Sequence, residues 1–581
     1  MRIAACVLLA ACGGGSVGDA SDGGRIDGGP TGGPPDAGPD LSDLVFDTPV
    51  LEVVIEIEPD YWDQLRVQRK TRHSAYGSEN CRDAPIPNPY SWFPGTVTID
   101  GDELGVIGVR KKGHLGSQST LRPSLKLKLD EYAEGNAWRS LSRLALNNSK
   151  QDPSYARTCL SYEVFRRAGV PAPRCTFAHV TVNGVDLGPY IALEEVDEEF
   201  ARRNFDDATG NMYEGTSSDF RPEFLGGFEQ ETNEATDPSR ADLQGVLDVL
   251  DTAAGPDLAA ALDEVIDLDE FYRFWAAESL VWHRDGYDGN ANNFFLYADP
   301  SDGGRFHWIP WGADATFQEN TSDLVPDSVL AYSAVARRLY LTDAGRARYY
   351  DELAAVIDEA WRPDKMTDRV NAIADLVRPL LLDQRSRDDL AAVGDVTRTF
   401  IMEREGVIAA ATAGGAPAWT EPMRALPCRI PVGQVSGTFV TTWNTLSQNP
   451  LTAGSGSFTA SVDGEPFEVV DVGARAGMVT TGPRVQLQIE LAGSRRLNVL
   501  ANFQADERWF EPYFAPGDHP LVTPPLPMSV TEVATADPGT PLRQFDVGEG
   551  TWTFTKASTA DGAPVEGSYS ATLYLIPPAT P

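Results

Sequence analysis

The chain has 581 residues, enough for two or three sizeable cores, and a hydrophobic content of 42% that fits a globular protein. Its formal charge of −37 argues against nucleic acid or anionic lipid as a partner and favours cations or simple solubility. No apolar run reaches the length of a membrane-spanning helix.

The N-terminus carries a short apolar stretch over 3–11 and then Leu9-Ala10-Ala11-Cys12, which resembles a bacterial lipobox. This predicts a signal peptide over 1–12, lipidation of Cys12 and a Gly/Asp/Pro-rich tether over 13–45. The protein is then expected in the cell envelope, lipid-anchored, or secreted, touching membrane only through that anchor. Beyond the anchor stand Cys81, Cys159, Cys175 and Cys428, so two disulfides are possible and three pairings stay open. Cys159 and Cys175 are nearest in sequence. None of the four has metal-ligand spacing with the scattered histidines, which argues against a zinc site.

Residues 48–58 alternate as an opening strand, 61–69 read as a short helix, and strands follow at 95–99 and 105–110 around Asp100-Gly101-Asp102. After the loop Lys111-Lys112-Gly113-His114-Leu115-Gly116-Ser117 comes a run of strict period two. Leu125, Leu127 and Leu129 face one side, and Ser124, Lys126 and Lys128 the other. In so acidic a chain the cluster Arg110, Lys111, Lys112, Arg122, Lys126 and Lys128 stands out. It reads either as a solvated strand face or as a phosphate-binding strand beneath a Gly-containing loop.

Asp152 or Ser154 is placed to cap a helix with the core face Ala156, Leu160, Val164 and Phe165, ended by Gly169 and Pro171. Strands 177–182 and 188–194 form a hairpin around Asn183-Gly184, and a charged helix follows at 197–205. Glu194 and Glu195 close the hairpin, and one of them can pair with a phosphate-binding lysine.

The stretch 271–317 organises the rest. A helix with Phe271, Phe274, Trp275, Leu280 and Val281 on one face stops at His283-Arg284-Asp285, with Asn290 five residues on. Two strands, 293–297 and 305–311, are joined by a turn and followed by a loop carrying Asp314. Helix, HRDxxxxN loop, hairpin and acidic loop follow one another as in a protein kinase catalytic centre. Phosphoryl transfer needs an Asp to orient the attacking hydroxyl and an Asn and a second Asp to hold magnesium. Asp285 fits the first role; Asn290, with Asn293, and Asp314 fit the second. Asp314 lies farther along the chain than the DFG Asp of ordinary kinases.

From about 50 to 410 the order of motifs resembles the CotH kinase family of secreted atypical kinases. It rests on Arg110…Gly113, Arg122-Pro123-Ser124-Leu125-Lys126-Leu127-Lys128-Leu129, the stretch 146–157, Gly169-Val170-Pro171, Val182-Asn183-Gly184 and Asn211-Met212-Tyr213-Glu214-Gly215. Asp285…Asn290…Asn293 and Ile309-Pro310-Trp311-Gly312-Ala313-Asp314 complete it. The resemblance implies a kinase-like fold, ATP with Mg2+ or Mn2+, and transfer of the γ-phosphoryl group to hydroxyls of a protein substrate at the cell surface or in the envelope. On it, Arg110 and Lys126, supported by Glu194, bind the nucleotide phosphates, and the loop from Gly113 to Gly116 covers them. The chain departs from the family at Gly312, where an Asp is common, at Gln318, where Gly is usual, and at Arg122, where Lys is usual. Those departures support the alternative of a catalytically weak or inactive surface lipoprotein with a structural or binding role.

Residues 324–410 read as amphipathic helices (333–341, 346–360, 365–382, 397–410), and 411–427 as a linker. The stretch 428–581 changes to short strands with Gly and Pro turns, predicting an all-β, sandwich-like accessory domain. The expected class is α+β: a CotH-like kinase domain over 46–410, then the β domain.

Overall fold

The computed structural model describes residues 41–76, 84–425, 428–503, 506–521 and 528–575. Cys12, the signal-peptide stretch, most of the tether and Cys81 lie outside the described residues. Seven strands close a barrel: β1 (Val50–Ile57), β2 (Phe93–Ile99), β3 (Asp102–Lys112), β4 (Ser124–Lys128), β5 (Arg143–Asn147), β6 (Cys175–Val182) and β7 (Val185–Leu193). The order around it is β1-β2-β3-β4-β5-β7-β6. Only the closing pair, β1 with β6, is parallel; the sequence gives no local sign of it. Alternation drives the closure. Leu51, Val53, Ile55, Val97, Ile107, Val109, Leu125 and Leu127 fill the interior, so the residues between them point outward. Packing begins earlier than the tether was expected to end, with Val45 and Phe46 buried in the same core.

The β6–β7 turn is the predicted one: Asn183 and Gly184 both take positive φ, as a two-residue hairpin requires. The helix after Asp152-Pro153-Ser154 begins at Arg157, later than expected. Asp152 still serves its N-terminus, accepting the Arg157 backbone N–H at 2.9 Å. A Cys159–Cys175 disulfide ties this helix to β6, and Cys428 is disulfide-bonded as well.

A second sheet, order β11-β10-β8-β9, is made of β8 (Met212–Gly215), β9 (Phe228–Gln230), β10 (Phe294–Asp299) and β11 (Arg305–Pro310). The Leu268–Leu280 helix packs against it through Phe271 on Trp308, ring centroids 4.8 Å apart. Helices Ala334–Tyr340, Asp343–Ala360, Pro363–Val377 and Gln384–Thr412 complete this half. The last is twice as long as its apolar stripe suggested, because Asp383 caps a polar first half by accepting the Ser386 N–H at 2.8 Å.

The C-terminal region is all-β. Its strands form one sheet of ten over a separate core, nine in a continuous path and a short tenth, Gly517–Pro520, paired to one of them off that path. The long strand Asp537–Lys556 pairs with Met528–Ala534 through its first half and with Pro564–Leu575 through its second, so the two halves share a strand. Among the described residues, no helix is long and apolar enough to cross a membrane.

Candidate active site

The HRD loop is held from below. The buried carboxylate of Glu278, on the Leu268–Leu280 helix, accepts the backbone N–H groups of Tyr287 and Asp288 at 2.8 and 2.6 Å. Asp219 accepts the Tyr287 hydroxyl at 3.1 Å and the Ala334 N–H. His283 sits against the Trp311 carbonyl at 2.8 Å; burial lowers its pKa to about 4, so the ring is neutral and its Nε2–H donates. These buried contacts fix the backbone that carries Asp285.

Asp285 is buried and receives hydrogen bonds on both carboxylate oxygens. Asn290 donates to Oδ1 at 2.7 Å and Asn293 to Oδ2 at 2.9 Å, and Asn293 also donates to the Asp285 carbonyl at 2.9 Å. Asn293 takes φ +53°, a region asparagine tolerates better than most residues. Its side chain lies over Gly312, itself at φ +54°. A Cβ there would fall closer than 3.0 Å to Asn293 Cγ and Oδ1. The family's aspartate therefore has no room at 312 while Asn293 holds Asp285.

Asp314 follows on the loop after β11 and is buried with Oδ1 lacking a hydrogen-bond partner among the described residues. Burial first, then the neighbouring Asp285 and Asp152, push its carboxyl well above the ordinary range; Arg157 only partly offsets this. An orphaned buried carboxyl oxygen among further acids fits a cation-binding group.

The second half of the site is a cleft of about 240 Å³ between the barrel and the small sheet. On the barrel side, register places Arg110 opposite Lys126 and Lys128 opposite Arg143. Like charges directly opposite one another weaken a sheet. On the other side Glu214 stands opposite Glu229, and carboxylate oxygens of Glu214, Glu229 and Glu231 all lie within 4.8 Å of one another. Burial and the Glu214 charge raise Glu231 to about 7. Lys126 is paired with Glu195 at 2.5 Å. Burial works against its charge, but Glu195, then Glu214 and Glu231, outweigh that and raise its pKa.

Of the residues singled out in the sequence, Arg110, Gly113 and Lys126 line this cleft, and Asp285, Asn290, Asn293 and Asp314 form the neighbouring cluster. Trp311 joins the two. Its ring lines the cleft near Lys112, its carbonyl accepts from His283, and its N–H donates to the Asn293 carbonyl at 3.0 Å.

One expectation needs correction. Glu194 is not the partner of Lys126. It is a buried hub for Arg174 and Arg203, each at 2.6 Å, and Glu195 faces the cleft instead. Asn293 directs its amide N–H groups at Asp285 and so orients that carboxylate, as Asn290 does from the other oxygen. The Gly113–Gly116 loop, expected to cover the phosphates, meets the cleft at Gly113. It is buried, and the residues just beyond it are pinned to the C-terminal region: Ser119 Oγ, Thr120 N and Leu121 N all donate to the Trp509 carbonyl, at 2.6, 3.0 and 3.2 Å.

Sequence reasoning missed the buried acids Glu278, Asp288 and Asp219, the acidic wall of the cleft, and Arg424. The Arg424 side chain donates from Nε to Asn290 Oδ1 at 2.7 Å.

Comparison with known proteins gives the lineage. The inner spore coat protein H of Bacillus subtilis (strain 168) is 24% identical over 277 residues, 45% of this chain and 74% of that protein. Invasin CotH2 of Rhizopus delemar is 25% identical over 271 residues, 42% of this chain and 45% of its own length. The crystal structure of the Helicobacter pylori proinflammatory kinase CtkA aligns over 50% of this chain and 90% of that one, at 12% identity. Its TM-score of 0.21 carries no argument about the fold. A family model, CotH kinase protein, matches residues 109–407, just over half of the chain and all of the cleft and HRD-loop residues named above except Arg424. The chain belongs to the CotH kinase family.

Proposed function

We propose that this protein is an ATP-dependent atypical kinase that phosphorylates protein hydroxyls with a divalent cation, Mg2+ or Mn2+. The observation that carries the reading is the pairing of Lys126 with Glu195 on one wall, next to an Asp285 carboxylate held on both oxygens. Arg110 and Lys126 hold the nucleotide phosphates, and Asp314 Oδ1 with Asn290 Oδ1 hold the cation. Bound ATP and its cation supply the transferable γ-phosphoryl group and neutralise its charge. Asn290 and Asn293 fix the rotation of the Asp285 carboxylate, so that either oxygen can orient a substrate hydroxyl and take its proton. Glu195 keeps Lys126 charged and extended into the cleft. Trp311 keeps the two walls in register.

We further propose that the chain works in the cell envelope or outside the cell, lipid-anchored through Cys12, on a protein substrate there. The lipobox-like start, the Cys159–Cys175 disulfide and relatives named as a spore coat protein and invasins support this.

The test is incubation with labelled ATP and Mg2+ or Mn2+, beside Asp285→Asn and Asp314→Asn. Label on the protein or on a generic acceptor, lost in both variants, supports the reading. Folded protein that neither transfers label nor binds nucleotide refutes it, and binding without transfer moves the reading to the non-catalytic alternative.

A further inference from the structure

The segment that follows the Gln384–Thr412 helix was expected to be a plain linker. As far as residue 425 it packs against the helical half. Pro417 accepts the Tyr340 hydroxyl at 2.8 Å, and Trp419 meets Tyr332 edge-on at 4.9 Å. The Glu421 carbonyl accepts Arg337 Nε at 3.2 Å, and the Arg424 N–H donates to the Tyr332 carbonyl at 3.0 Å. Tyr332 is itself part of the catalytic-loop floor, since its N–H donates to the Asp288 carbonyl at 2.8 Å. The backbone of 417–424 is therefore docked by contacts that do not involve the Arg424 side chain.

That side chain does something separate. Its guanidinium crosses the Tyr332 ring at 5.2 Å and donates from Nε to Asn290 Oδ1. The other half of the Asn290 amide is spent on Asp285. A cation bound at Asn290 uses the same oxygen, and a divalent ion a few ångströms from a guanidinium is repelled by it. Arg424 can leave by a change of rotamer, because the segment stays held at Tyr332, Tyr340 and Arg337.

We infer that Arg424 is an autoinhibitory cation: it occupies the metal-facing oxygen of Asn290, and divalent cation with nucleotide must displace it. This rests on the metal-site reading above. It adds to that reading a residue outside the stretch matched by the family model, so regulation of the site is built into the connection to the β region.

The test is Mn2+ binding to the full chain in the presence of ADP, followed by electron paramagnetic resonance of free Mn2+, for the unaltered protein, Arg424→Gln and Arg424→Lys. A charge-assisted hydrogen bond on the ligand oxygen predicts about tenfold tighter binding in Arg424→Gln. Arg424→Lys, which keeps the charge, stays within about threefold of the unaltered protein. Hydrogen exchange of 413–425 in metal-free Arg424→Gln should match the unaltered protein, showing that the segment remains docked. Equal affinity in all three proteins overturns the inference. So does weaker binding in Arg424→Gln, which would make Arg424 a positioning residue for the site. Absence of Mn2+ binding in the unaltered protein and both variants overturns the metal-site reading itself, and the inference with it.

Discussion

Replacing Gly312 tests whether the missing family aspartate is a loss or an adjustment. At φ +54° any L side chain there costs about 1–2 kcal/mol. The added Cβ also collides with Asn293 Cγ and Oδ1, so the Asn293 side chain must leave. It then gives up hydrogen bonds to the Asp285 carbonyl and carboxylate, both 2.9 Å, worth together about 2–4 kcal/mol net when one acceptor is charged. Gly312→Ala should therefore cost about 3–6 kcal/mol, and Asn293→Ala alone about 2–4 kcal/mol. In the double variant only the Cβ at 293 still stands near the new methyl group, at 2.9 Å, and the Asn293 hydrogen bonds are lost once and not twice, so it should cost about 2–4 kcal/mol less than the sum of the two. Differential scanning calorimetry of the full chain reads this in the transition of the kinase-like part, at about 2 °C per kcal/mol for a unit of this size. If the two substitutions add within about 0.5 kcal/mol, the steric account is wrong. Gly312→Asp should likewise weaken the site and not restore it.

Three further outcomes follow from buried charge. Burial first, with added repulsion from Asp288 on Glu278 and from Asp219 on Asp288, holds the Glu278 and Asp288 carboxyls above the ordinary range, so this pair keeps protons in the folded chain that the unfolded chain releases near pH 4. Stability attributable to the pair is therefore full at low pH and falls as pH rises above about 4; Asp288→Asn should make the thermal-melting profile less steep between pH 5 and 8, and an unchanged slope counts against the assignment. Asp314→Asn removes a poorly accommodated carboxyl, so the metal-free protein should melt higher while the stabilisation by Mn2+ disappears; a lower metal-free melting temperature would contradict the crowding of acids at that site. Lys126→Met strands Glu195 beside the acidic wall and should cost about 2–3 kcal/mol, discounted because the lysine is about a quarter exposed; adding Glu195→Gln should recover most of it, and failure to recover would mean the pair contributes packing rather than charge balance.

The HRD loop was legible because its chemistry is written in consecutive residues: a helix stripe that stops, then Asp285, Asn290 and Asn293 in turn-forming company. The basic strand was legible for a similar reason, since period two alone puts Lys126 and Lys128 on the face away from Leu125 and Leu127. The choice between Glu194 and Glu195 was not, because β7 ends at Leu193 and alternation says nothing past the last paired residue. The acidic wall lay hidden in strands of three and four residues, too short to show a period. Barrel closure through a parallel β1–β6 pair, and the reach of Arg424 to a residue 134 positions away, are long-range events with no local pattern to read.

The charge arrangement also explains why a chain of net charge −37 keeps its cations where it does. Arg110 opposite Lys126, Lys128 opposite Arg143 and Glu214 opposite Glu229 are three cross-strand pairs that weaken their own sheets. The Lys126–Glu195 and Lys128–Glu131 bonds, 2.5 and 2.8 Å, relieve part of this on the barrel side, and Glu231 responds by holding its proton to about 7. Folding alone would be better served by opposite charges in each pair. A ligand with an anionic end for the barrel wall and a cation or hydrogen-bond donors for the acidic wall relieves both sides at once, and a metal-bound nucleotide has that polarity. On the proposed function, the stability this strain costs returns as differential affinity for the nucleotide.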